Sequence, residues 1–107
     1  MDLNDYQKRA SVTATYPEQD AVVYTTLGLT NEAGEVAGVL KKELRGDFPA
    51  DVDVTEMMVK ELGDVLWYLA MLAKALGYSL EKVAQMNLDK LADRAARGVI
   101  KGSGDDR

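Results

Sequence analysis

Apolar positions along this chain recur at three- and four-residue spacing in four stretches, and no stretch gives a convincing strand. The first predicts a helix from Leu3 to about Ala14, with Asp2 or Asn4 as N-cap. Pro17 then calls for an extended connection. A second helix runs from about Asp20 to Leu44. Asp20 caps it, Gly46 supplies a left-handed stop, and Lys41, Lys42 and Arg45 suit the negative end of the helix dipole. The stretch DFPADVDV is a loop, because Pro49 among small and acidic residues does not continue a helix. The third helix spans Thr55 to Leu76, stops at Gly77, and is preceded by Asp53 and Glu56 at capping-box spacing. The fourth runs from Leu80 to about Arg97 between Ser79 as N-cap and Gly98 as stop. Residues 98–107 read as a flexible, polar, glycine-rich tail.

Short loops between long helices predict an all-α fold, an antiparallel bundle of about four helices in one domain covering residues 1–107. The third helix is apolar nearly all round, from Met57 through Leu62, Leu66 and Leu69 to Leu76, so it needs cover on several sides. The second helix, at 1.5 Å per residue, is roughly 37 Å long. A compact monomer of this size has a radius of gyration near 13 Å, roughly. An obligate homo-oligomer is therefore expected, with helices two and three buried against a second subunit. The alternative is a break at Gly28 that folds helix two back on itself.

Composition narrows the chemistry. The 107 residues carry a formal charge of −5, which argues against nucleic acid as a partner. No histidine and no cysteine is present, which excludes Ser-His-Asp catalysis, thiolate chemistry and histidine-based metal sites. The first ten residues lack the apolar core of a signal peptide, and no apolar run is long enough to span a membrane, so a cytoplasmic location is expected.

Two acidic pairs then stand out, Glu32-x-x-Glu35 and Glu61-x-x-Asp64, each at a spacing that puts both carboxylates on one helix face. The spacer between them lets helix two finish, turn and return as helix three, bringing the pairs face to face. Glu61 and Asp64 sit inside VKELGDVLWYLAML, an otherwise core-like run. Two unit charges 4 Å apart repel by about 4 kcal/mol at an effective dielectric of 20. Four acids together therefore call for protons or cations, and oxygen-only ligands favour Mg²⁺, Mn²⁺ or Ca²⁺. On helix four, Asn87, Lys90, Arg94 and Arg97 form a polar, cationic stripe suited to phosphate oxygens, while Val83, Ala84, Leu88 and Leu91 supply its packing face. Tyr68 follows Asp64 by one turn and is placed to meet a ligand or to close the core; Trp67 reads as core or as a stacking wall.

At these residues the chain resembles the MazG-like all-α nucleoside triphosphate pyrophosphohydrolases. The family's E-x-x-E and E-x-x-D motifs stand here as NEAGEVA and KELGDVLWYLA, and its N-x-x-K-L-x-x-R pattern as Asn87, Lys90, Leu91 and Arg94. The resemblance extends over essentially the whole chain and is closest to the short stand-alone members. It implies hydrolysis of an NTP or dNTP to monophosphate and pyrophosphate, as removal of unwanted nucleotides. It also implies Mg²⁺ on Glu32, Glu35, Glu61 and Asp64 as the catalytic set, substrate contacts from Tyr68, Asn87, Lys90 and Arg94, and a homo-oligomer, a dimer or a dimer of dimers. Dimeric dUTPase-like relatives can carry a further glutamate where Asn31 stands here, which weakens that substrate assignment. Two other readings remain: a phosphoribosyl-ATP pyrophosphatase on the same fold, and a helical interaction module that uses its acids to hold a structural ion.

Overall fold

A computed structural model describes every residue from Met1 to Arg107. It contains four α-helices and no strand: α1 (Leu3–Ala10), α2 (Ala21–Leu44), α3 (Val54–Ala75) and α4 (Leu80–Ala96). The caps act where the sequence places them. Asp2 accepts from the Asp5 amide at 2.7 Å, Asp53 from the Glu56 amide at 3.0 Å, and the Ser79 hydroxyl from the Lys82 amide at 3.1 Å. Asp20 differs. It precedes α2 without a side-chain cap bond, because the chain already enters the helix through a 3₁₀ turn at Glu18–Asp20. α1 is also shorter than expected. The Ser11 and Thr13 hydroxyls donate to the Lys8 and Ala10 carbonyls at 2.7 and 3.0 Å, and the chain tightens into a 3₁₀ turn over Ser11–Thr13. α2 passes through Gly28 unbroken, so it does not fold back.

α2 and α3 pack along each other as a long hairpin, and this pairing dominates the tertiary structure. α1 packs against α3 and α4. The core lies at that junction, where Ala70, Met71 and Leu80 are fully buried beneath Tyr6, Ala10, Ala14, Tyr16 and Trp67. Gln7 pins it. Its Nε2 donates to the Ala70 and Tyr78 carbonyls, both at 3.1 Å, and its Oε1 accepts from the Leu80 amide at 3.1 Å. One buried side chain thus ties α1 to the end of α3 and the start of α4. Gln7→Leu leaves these backbone groups without partners and is expected to cost about 2–4 kcal/mol. Urea unfolding would show a lower midpoint at unchanged slope; an unchanged midpoint would mean the clamp contributes nothing to stability.

One chain does not close a bundle. The radius of gyration is 16.9 Å, against about 13 Å for a compact chain of this length. Only eight residues are buried, while Val23, Leu27, Leu40, Val59 and Leu62 stand exposed along the hairpin. α4 is held through its first turns, where Leu80 is buried and Val83 and Ala84 are half-buried. Leu88 and Leu91, expected on its packing face, are exposed because α4 has little of α3 to lie against beyond that point. No helix is long and apolar enough to cross a membrane.

Candidate functional site

The hairpin brings Glu32 of α2 against Glu61 and Asp64 of α3, with one oxygen from each lying within 4.8 Å of the others. The helical spacing of Glu61 and Asp64 puts both on one face, and the antiparallel return of α3 presents that face to α2. Glu35 is not part of this trio. It lies one turn further along α2, exposed, yet near enough that its charge acts on Glu32. The Glu32 carboxyl is pushed above its ordinary value, first by burial and then by the charges of Asp64, Glu61 and Glu35. No ion pair of the chain involves any of the four acids.

Three oxygens gathered without a counter-ion make a donor set able to hold a divalent metal ion. Glu32, Glu61 and Asp64 would hold such an ion through one carboxylate oxygen each. All-oxygen ligands suit hard cations rather than zinc or copper.

Beside the acids is an aromatic wall. Tyr68, one turn after Asp64, packs against Gly28, one turn before Glu32; a Cβ added at Gly28 would collide with the Cδ1, Cε1 and Cζ atoms of the ring. The Tyr68 phenol is held above its ordinary value by its polar contact with the Tyr24 hydroxyl, then by burial and the Tyr24, Glu32 and Asp64 charges. Tyr24, Leu27, Gly28, Asn31 and Tyr68 line a shallow cleft of about 280 Å³. Tyr24 was not singled out by the sequence pattern, although Tyr24, Gly28 and Glu32 repeat at four-residue spacing on one face of α2. Tyr6 of α1 also comes close enough for the Asp64 charge to act on its phenol, which burial chiefly raises. Trp67 is a packing residue. Its indole N–H donates to the Ala10 carbonyl at 3.1 Å and to the Thr13 hydroxyl at 3.0 Å, anchoring the end of α1.

The cationic stripe lies apart from the acids. Asn87 lines two clefts between α3 and α4, and the clefts lined by Lys90 and Arg94 include none of Glu32, Glu61 and Asp64. Both cations are engaged by the tail: Asp105 Oδ1 accepts from Lys90 Nζ at 2.8 Å and from Arg94 Nη2 at 3.0 Å. Arg94, expected in the cationic stripe that faces phosphate, is buried because the tail covers it. Hydrogen bonds from Lys90, and then from Arg94, hold the Asp105 carboxyl below its ordinary 3.8. A depressed carboxyl stabilises the folded tail in full above 3.8 and loses that contribution as pH falls through the lower folded-state value. The Asp105 carboxyl ¹³C resonance should therefore titrate with a midpoint below 3.8, and a midpoint at or above it contradicts the pairing.

The all-helical hairpin gathers unpaired carboxylates from two helices into a possible cation site, and comparison with known proteins gives it a family. The family model described as MazG nucleotide pyrophosphohydrolase domain matches residues 23–99, from α2 to just past α4. The chain belongs to the MazG nucleotide pyrophosphohydrolase family. It is also 45% identical over 114 residues to the Gene 37 protein of Mycobacterium phage L5, with both chains covered completely. No solved structure matches.

Proposed function

We propose that this protein is a Mg²⁺-dependent hydrolase that splits nucleoside or deoxynucleoside triphosphates into the monophosphate and pyrophosphate, clearing unwanted nucleotides from the cytoplasm. The observation that carries this is the unpaired trio of Glu32, Glu61 and Asp64 in a chain of the MazG family. Those three residues would hold the cation, which neutralises phosphate charge and acidifies water. Glu35, left outside the trio, is free to accept the proton from the attacking water. The water oxygen then bonds to the α-phosphorus in line with the departing pyrophosphate. Tyr68 and its cleft flank the nucleoside, and Asn87, Lys90 and Arg94 bind the β- and γ-phosphates.

Because the clefts lined by Lys90 and Arg94 include none of the trio's carboxylates, the complete site calls for a homo-oligomer, a dimer or a dimer of dimers. The exposed apolar residues of the hairpin support the same reading. Gly34 and Gly38 test it. Within one chain an added Cβ at either meets nothing within 4 Å. Helix propensity alone would then make Gly34→Ala or Gly38→Ala stabilising by about 1 kcal/mol. A subunit seated on that face predicts the reverse, a loss of stability with a smaller mass by light scattering. A stabilised protein of unchanged mass would remove this face from the interface.

The substrate test is a screen of common and damaged NTPs and dNTPs with Mg²⁺, with phosphoribosyl-ATP included. Turnover of a triphosphate supports the proposal, and turnover of phosphoribosyl-ATP alone moves the enzyme to that substrate. Mg²⁺-stabilised melting with no turnover of any compound would instead leave a metal-binding interaction module.

A further inference from the structure

Residues beyond α4 form a built hook rather than a loose end. The Arg107 guanidinium sits in a ring of backbone oxygens, donating to the Val99, Ile100 and Gly104 carbonyls at 3.1, 2.8 and 2.6 Å. Gly98, Gly102 and Gly104 turn the chain with φ of 71°, 139° and 86°, in the region that favours glycine. The hook delivers Asp105 onto α4. Its carboxylate bridges Lys90 and Arg94, and its carbonyl accepts a further bond from Arg94 Nη2 at 2.5 Å. Arg97 also donates to the Arg107 carbonyl.

This arrangement has the chemistry of a bound anion. Asp105 offers a full negative charge to an ammonium and a guanidinium at hydrogen-bond distance, which is how these groups hold a phosphate oxygen. The Arg94 side chain is only 7% exposed, so little of its surface is open to a second anion while the hook stays in place. Asp105 itself is 78% exposed, so it can leave without breaking a core. A polyphosphate approaching these cations meets a carboxylate of its own sign already seated.

We propose that the 98–107 hook is an intramolecular competitor for the anion site of Lys90 and Arg94, and that Asp105 must swing out before a polyphosphate is held there. This rests on the reading that those two cations bind the phosphates of the substrate. The hook then sets a threshold. Inorganic phosphate and other weak anions do not displace it, whereas a chelating di- or triphosphate does, and its return helps expel the pyrophosphate product. Arg107 takes part at a distance, since its three carbonyl bonds hold the hook closed.

The test is calorimetric titration of inorganic pyrophosphate, in Mg²⁺ buffer, into the full chain and its variants. Asp105→Asn removes the competing charge, and Arg107→Ala opens the hook without touching Lys90 or Arg94. Both should bind pyrophosphate about three- to tenfold more tightly than the native chain, the range expected when exposed ion pairs are released. Adding Lys90→Ala to Asp105→Asn should abolish the gain. Amide exchange across residues 99–106 should quicken in the native chain when pyrophosphate binds. Equal or weaker binding by Asp105→Asn, with Lys90→Ala still weakening the native chain, would overturn the competitor and leave the phosphate assignment standing. Slower exchange of the hook on binding would overturn it too, making the segment a lid that closes over the ligand. If Lys90→Ala changes binding in no background, the phosphate assignment itself fails and the competitor falls with it.

Discussion

Asp64→Asn, Glu61→Gln and Glu32→Gln are each expected to lower Mg²⁺-dependent pyrophosphate release by about a hundredfold or more while leaving the metal-free protein more heat-stable. The two effects have one cause. The trio concentrates negative charge that no lysine or arginine of the chain neutralises. Folding without metal therefore works against like-charge repulsion: burial first, and then the Asp64, Glu61 and Glu35 charges, push the Glu32 carboxyl up. Removing one charge relieves it, and a rise of a few degrees in melting temperature is the order expected for a partly solvated cluster, roughly. Under the proposed function the same substitution would remove a metal ligand on which charge neutralisation at the phosphates depends, and single groups of that kind contribute about 10²–10³ in rate. Added Mg²⁺ should stabilise the native chain, by about 2.7 kcal/mol at a hundred times its dissociation constant, and the variants much less. Calorimetry with and without Mg²⁺, beside a pyrophosphate-release assay, separates this outcome from misfolding. A variant that loses both activity and metal-free stability would show that the acids serve the fold instead.

Gly28→Ala carries the second large effect, despite being a favourable change by helix propensity. Alanine gains about 1 kcal/mol over glycine inside a helix. At this position, however, the new methyl meets the Tyr68 ring rather than the tip of a flexible chain. Overpacking of that kind costs about 1–3 kcal/mol, so the substitution is expected to be net destabilising or to swing the ring off α2. Tyr68 contacts Tyr24 and lies beside Asp64, so a displaced ring changes the cleft next to the acids. The expected result is a raised KM for triphosphates with pyrophosphate inhibition little changed, because the disturbance lies on the nucleoside side. Gly28→Ala combined with Tyr68→Ala should recover the stability lost. A Gly28→Ala protein that is more stable, with native KM, would show that the ring and the glycine do not constrain each other.

The parts of this structure governed by local rules were legible in the sequence. Helix limits followed from Asp53, Ser79, Gly46 and Gly77, whose capping and left-handed turns need only near neighbours. The meeting of Glu32 with Glu61 and Asp64 was legible as well, since i, i+3 spacing and an antiparallel return leave little choice of face. What escaped depended on how the elements sit in space. Glu35 shares a face with Glu32 but falls outside the trio, which helix packing decides rather than spacing. Arg94 reads as a surface cation until the hook covers it, a contact made by residues eleven positions away. The exposure of Leu88 and Leu91 reflects the limited packing of α4, which no pattern within the helix records. Gln7 looks like an ordinary polar residue of α1, and only the junction of α1, α3 and α4 supplies its three backbone partners.

The central claim is metal-dependent cleavage between the α- and β-phosphates at the Glu32, Glu61 and Asp64 trio. It is tested most directly by running the reaction on a preferred triphosphate in H₂¹⁸O and identifying products by ³¹P NMR and mass spectrometry. The account predicts one ¹⁸O in the nucleoside monophosphate, unlabelled pyrophosphate, and no products after chelation of Mg²⁺ or in Glu61→Gln. Nucleoside diphosphate with inorganic phosphate, or turnover that survives chelation, would contradict it.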